Sequence, residues 1–164
     1  MSIIFTPQER LDRIDQIRRF PAELEAAVQG LNEEQLTTRY DPGEWSVAQN
    51  VHHLVDSHMN AYIRTRLILT EDKPTVRPYF QEHWAELPDA KSPSLTTSLL
   101  ILRGLHQRWT ELFDSLQEVD FRRAGIHPDI DGDYTIDDIL DTYSRHGTGH
   151  IEQLQRQLEA GKQR

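Results

Sequence analysis

The stretch Thr135-Ile136-Asp137-Asp138-Ile139-Leu140-Asp141-Thr142-Tyr143-Ser144-Arg145-His146-Gly147-Thr148-Gly149-His150-Ile151-Glu152-Gln153-Leu154-Gln155-Arg156-Gln157-Leu158-Glu159-Ala160 keeps one helical period throughout. At roughly 100° per residue, Ile136, Leu140, Tyr143, Gly147, Leu154 and Leu158 form one apolar stripe. The pattern predicts an amphipathic helix over 136–160, capped by Thr135 and ended by Gly161. His150 falls within the stripe and His146 at its edge near Ile139, so both imidazoles turn toward a protein interior. Their four-residue spacing places them on one helix face, close enough to share a metal ion. Gly147 follows the first histidine where an HExxH zinc protease carries glutamate. Buried imidazoles need partners, and carboxylates or carbonyls serve as well as a metal. Spacing alone leaves both outcomes open. Gly147 and Gly149 each cost a helix interior about 1 kcal/mol relative to alanine. They either weaken the helix or admit a close approach to its backbone.

Outward from this helix, the remaining chain supplies three more. Thr6-Pro7-Gln8-Glu9 is a capping box with proline at the first helical position. Leu11, Ile14, Ile17, Phe20, Leu24, Val28 and Leu31 continue it at helical spacing, with a kink expected at Pro21. Asn32-Glu33-Glu34-Gln35 opens one short turn, and Asp41-Pro42-Gly43 is a turn. Ser46-Val47-Ala48-Gln49 is a second capping box, opening a helix to about Thr70. Pro74, Pro78 and Pro88 mark residues 71–93 as a long, mostly irregular connection. A third long helix starts near Ser94, with Leu95, Leu99, Leu102, Leu105, Trp109, Leu112 and Leu116 on one side. Residues 120–134 form another loop. No segment alternates with period two over a useful length, so no sheet is expected.

These elements define an all-α, four-helix bundle of one domain, residues 1–164. A connection as long as 71–93 permits a crossover or carries function. The 164 residues hold no cysteine, which excludes disulfides and thiolate sites and suits a cytoplasmic setting. The formal charge of −9 argues against nucleic-acid binding, which rests on clustered Lys and Arg. No apolar run is long enough to span a membrane, and Met1–Glu9 lacks the features of a signal peptide.

Of 8 histidines, His83, His106 and His127 stand isolated, and His127 lies in the turn His127-Pro128-Asp129. The second long helix carries His52-His53-Leu54-Val55-Asp56-Ser57-His58. Its apolar side runs through Val47, Val51, Leu54, Val55, Met59 and Tyr62 and includes His58. His53 lies nearly opposite, aligned with Gln49, Asp56, Asn60 and Arg64. That polar stripe is either solvated or lines a polar cavity. Periodicity alone favours His58 as a ligand.

A resemblance points the other way. Trp45-Ser46, His52-His53-Leu54-x-Asp56-Ser57-His58-Met59-Asn60, Glu71-Asp72-x-Pro74 and Arg77-Pro78-Tyr79 resemble the DinB-like superfamily. The likeness is strongest to its YfiT-like metal-dependent hydrolases, a group that includes bacillithiol S-transferases. It continues through Trp84-x-Glu86-Leu87, Leu105-His106-x-Arg108-Trp109-Thr110, His127-Pro128-Asp129 and Tyr143-x2-His146-x3-His150-Ile151. It implies an up-down-down-up bundle, a homodimer, and a metal triad at His53, His146 and His150.

Three neutral imidazoles hold Zn²⁺ or Ni²⁺ and leave positions for water or substrate. A coordinated water or thiol loses its proton near neutral pH in such a site. Water makes the protein a hydrolase. A thiol, which this chain cannot itself supply, makes it an S-transferase using a small thiol such as bacillithiol. Asp56 is the candidate catalytic carboxylate, placed to orient an imidazole or relay a proton. Gln49, Asn60 and Arg64 are candidates for holding an anionic cosubstrate. The alternative from another class is a non-catalytic helical protein whose histidines are structural or store metal.

Overall fold

In the computed structural model, which describes residues 3–162, the four expected long helices form. They are α1 (Pro7–Val28), α3 (Val47–Thr70), α5 (Thr96–Asp114) and α6 (Ile136–Lys162). Short helices α2 (Glu33–Thr37) and α4 (Gln81–Trp84) lie in the connections, with a 3-10 turn at Asp89–Lys91. Thr6, Asn32 and Ser46 each accept from the backbone N–H three residues on, and Glu9, Gln35 and Gln49 complete their capping boxes. Thr135 caps α6 the same way, its Oγ1 accepting from Asp138 N at 3.1 Å. The stretch considered for a leader, Met1–Glu9, lies partly outside the described residues. No described helix is long and apolar enough to cross a membrane.

Side-chain pairs between helices fix their directions. Arg10 meets Asp137 and Arg13 meets Asp141, so α1 and α6 run parallel. Arg18 meets Asp114 and Glu25 meets Arg103, so α5 runs against α1. His52 meets Ser98 and Thr65 meets Trp109, so α3 runs with α5. Asn50 meets His150 and His58 meets His146, so α3 opposes α6. The bundle is therefore up-down-down-up in chain order.

Two apolar clusters fill the core. One gathers Ile14, Ile17, Ile68, Trp109, Phe113 and Leu140, and the other Phe20, Leu24, Val51, Leu54, Leu102 and Leu154. On every long helix the two sets are separated by the level at which His58, His106 and His146 sit. A layer of imidazoles thus crosses the middle of an otherwise apolar interior.

Three expectations are corrected. A minimal antiparallel ladder does form, β1 (Ala124–Gly125) pairing with β2 (Tyr134–Thr135). It ties down the α5–α6 connection, and Ile126 bonds Pro74 and Val76 to join it to the connection after α3. Gly161 does not stop α6, which runs to Lys162. A Cβ at 161 would lie 2.8 Å from the Tyr40 ring, so glycine there serves a close approach. On α5 the buried positions are Leu102, His106, Trp109, Thr110 and Phe113, with Leu105 and Leu112 at the margin. His106, which stands isolated in the sequence, is a core residue.

Candidate metal centre

The capped start of α3 places His53 one turn beyond Gln49, and α6 brings His146 and His150 against it from the opposite direction. One ring nitrogen from each of His53, His146 and His150 lies within 4.8 Å of the other two. Among the described residues this is the one histidine or acidic cluster close enough to share an ion. Zinc–imidazole bonds of about 2.0–2.1 Å require nitrogens somewhat closer together, a side-chain adjustment on the order of 1 Å.

Two of the rings are oriented by hydrogen bonds at Nδ1. His150 Nδ1 donates to Asn50 Oδ1 at 2.7 Å. Asn50 is itself oriented, because its Nδ2 donates to the Ser46 carbonyl at 3.1 Å and the Trp45 carbonyl at 3.3 Å. His146 Nδ1 lies 3.1 Å from His58 Nε2. For His150, whose partner oxygen can only accept, the remaining Nε2 is then the nitrogen with the lone pair, as a metal ligand requires. Trp45 packs on the pair from outside, its ring 4.6 Å from His53 and parallel to His150 at 6.3 Å.

The imidazoles are held neutral. Burial, followed by neighbouring His150 and His146, pushes His53 down to about 3. Burial, then His150, brings His146 to about 3. Burial also lowers His150. All three are therefore competent ligands at neutral pH without first losing a proton.

The polar stripe of α3 is not solvated. Residues 71–93 meet it at Gln49 and Arg64, which bond the Ala85 and Arg77 carbonyls, and Gln49, His53 and Arg64 are all buried. Gln49 is fully engaged, its Oε1 accepting from Ser46 N and Arg39 Nε and its Nε2 donating to the Ala85 carbonyl at 2.7 Å. Asn60 Nδ2 donates to the Asp56 carbonyl at 2.8 Å. Asp56 is half-buried, and burial, then Asp89, raises its pKa. No hydrogen bond joins its carboxylate to the three histidines among the described residues. Arg64 donates from Nη2 to the Arg77 carbonyl at 2.7 Å, while its buried Nε has no partner. The buried Tyr79 hydroxyl lies close enough to feel Arg64 and is equally unpartnered, Ser57 standing near it without completing a well-formed bond.

The sequence pattern did not single out Asn50, Trp45, His58 or His106 as supports of this centre. His58 is fully buried and bridges His106 and His146, so its place on the apolar side of α3 is real while its ring nitrogens face other histidines. The helical spacing of His106 with Leu102, Trp109 and Phe113 was the available signal for its burial.

The sequence and the bundle both place the chain in a recognisable class. The chain matches the DinB superfamily over residues 16–154 and belongs to it. Over 155 residues it is 44% identical to a protein of Bacillus cereus strain AH820, covering 92% of this chain and 88% of that protein. A protein of Bacillus mycoides strain KBAB4 is 43% identical over 155 residues. Both relatives bear the provisional name of metal-dependent hydrolase. In three dimensions the chain is similar to YfiT from Bacillus subtilis, with a TM-score of 0.90 and 38% identity over 95% of this chain and 89% of that one. YfiT is described as a probable metal-dependent hydrolase with an unusual four-helix bundle topology.

Proposed function

We propose that this protein is a divalent-metal-dependent enzyme in which His53, His146 and His150 hold Zn²⁺ or Ni²⁺. The observation that supports it is the convergence of three neutral imidazoles, two of them with Nδ1 already engaged and Nε2 free. When bound, a divalent ion there supplies Lewis acidity that brings a water or thiol nucleophile to its anion near neutral pH. Three ligands leave open positions, which suits catalysis better than a closed structural site.

The chain's own residues supply the rest of the chemistry. Asp56, with its raised pKa, accepts the proton that the nucleophile gives up. Arg64, buried and without a carboxylate within 4.0 Å among the described residues, contacts an anionic group of the cosubstrate, assisted by the Tyr79 hydroxyl. Gln49 and Asn60 hold the surrounding backbone in place and leave that contact to Arg64. A buried cation awaiting an anion favours a charged low-molecular-weight thiol, of the bacillithiol kind, over water alone. The relatives' names favour hydrolysis. The active unit is proposed as a homodimer on the strength of the resemblance, and its mass in solution tests that.

Metal analysis of untagged protein is the primary experiment. We expect one ion per chain in wild type and its loss in His53→Ala, His146→Ala and His150→Ala. A metal-free wild type after reconstitution with Zn²⁺ and Ni²⁺ overturns the proposal. A panel of small thiols with monochlorobimane then separates the nucleophiles. Thiol-dependent conjugation identifies an S-transferase, thiol-independent ester or amide cleavage a hydrolase, and stoichiometric metal with neither activity the non-catalytic alternative.

A further inference from the structure

His58 and His106 are fully buried, and the chemistry proposed above uses neither. Three contacts place them in a line. His106 Nδ1 lies 2.6 Å from the Ile17 carbonyl oxygen, His58 Nδ1 lies 2.7 Å from His106 Nε2, and His58 Nε2 lies 3.1 Å from His146 Nδ1. A carbonyl oxygen can only accept, so His106 carries its proton on Nδ1. Its Nε2 then holds a lone pair, and His58 must donate from Nδ1. By the same step His58 Nε2 accepts from His146 Nδ1–H. His146 is left with its lone pair on Nε2.

Ile17 is available as an anchor for a reason written in the sequence. In a helix the carbonyl of residue 17 accepts from the N–H of residue 21. Residue 21 is proline and has none, although α1 continues through it to Val28. The vacated carbonyl is the one that His106 takes. Phe20 covers the assembly, its ring centroid 5.4 Å from both His58 and His106.

We propose that the Ile17 carbonyl, freed by Pro21, together with His106 and His58 forms a relay that sets the tautomer and orientation of His146 and so presents its Nε2 to the metal. His58 and His106 are positioning residues, acting on the ion through His146. The relay rests on His146 being a metal ligand, as proposed above. It differs from the usual outer-shell carboxylate or carbonyl in placing two further imidazoles between the ligand and the backbone anchor.

The direct test is long-range ¹H–¹⁵N NMR of the histidine rings in the full-length, metal-free protein. We expect His146, His58 and His106 all to carry hydrogen on Nδ1, and any of the three found as the Nε2–H tautomer overturns the relay. Zn²⁺ affinity is the second readout. His58→Leu fills a similar volume without polar atoms and should weaken Zn²⁺ binding about 10- to 100-fold, the range seen when outer-shell partners are removed. His58→Gln, which can accept from His146 and donate to His106, should recover most of that loss. Equal Zn²⁺ affinity in wild type and a folded His58→Leu overturns the relay and leaves the metal centre standing. A wild type that binds no Zn²⁺ removes the metal centre and the relay's role together. If His58→Leu does not fold, the NMR pattern of the wild type still decides.

Discussion

Gly147 and Gly149 are two residues apart on α6 and have opposite surroundings. A Cβ on Gly147 would lie 2.3 Å from the Phe20 ring, while one on Gly149 would meet nothing within 4 Å. Phe20 is itself buried against His58 and His106, so its ring has little freedom to retreat. Gly147→Ala gains about 1 kcal/mol of helix propensity but forces an overpacked core, at a cost of roughly 1–3 kcal/mol. The expected net effect is a lower urea midpoint, accompanied by weaker metal binding as the relay shifts. Gly149→Ala gains the propensity with no opposing clash and should raise the midpoint. The two variants measured side by side separate close approach from simple helix weakening, the choice the sequence left open. A stabilised Gly147→Ala contradicts the packing described here.

At the scale of elements, the starts of α1 and α6 are joined by a buried ion pair. Arg10 is 3% exposed and grips Asp137 with Nε and Nη2, both at 2.8 Å. Its Nη1 reaches Glu118 at 2.6 Å, and its guanidinium lies 4.5 Å from the Phe121 ring. Removing Asp137 leaves the buried guanidinium with only the half-exposed Glu118, and breaking a buried pair typically costs about 3–5 kcal/mol. Asp137→Ala should therefore lose stability on that scale in urea unfolding, and a loss below about 1 kcal/mol would show the pair to be dispensable. Neither residue drew notice in the sequence, because a charge at the start of each helix reads as solvent-facing. The same limit explains the α3 stripe. The capping boxes, apolar periods and proline-rich break at 71–93 were enough to place all four long helices. They could not show that the break folds back onto Gln49 and Arg64, so a buried polar face looked like a wet one. His146 and His150 were legible because they share one helix and face the core. His53 was legible only through its resemblance to a family. The His58–His106 link was not legible at all, since it depends on which carbonyl of a different helix a proline leaves free.

For the whole molecule, an interior crossed by neutral histidines makes stability depend on pH in a particular direction. Six histidines have lowered pKa values: His53, His58, His106, His127, His146 and His150, with burial the leading cause in each. His53 and His146 fall to about 3 and His106 to about 4. An unfolded chain takes up protons on these residues near their ordinary value of 6.5, whereas the folded chain does so only at lower pH, far lower for His53, His106 and His146. Below about pH 6.5 the unfolded state thus binds more protons, and stability falls as pH falls, by up to about 1.4 kcal/mol per pH unit for each such histidine. Glu9 and Glu118, whose pKa values are lowered by hydrogen bonds from Thr6 and Arg10, act in the same direction but only below the ordinary glutamate value of 4.5. Asp56 acts oppositely, since its raised pKa lets the folded state take up a proton first. One such group does not offset six. The urea midpoint of metal-free protein should accordingly drop steeply between pH 7 and pH 5, before the carboxylates contribute. Protein reconstituted with Zn²⁺ should resist that drop, because an ion on the Nε2 lone pairs competes with protons for the same sites. A flat midpoint across this range in metal-free protein would mean that the imidazole layer is hydrated or already charged in the folded state.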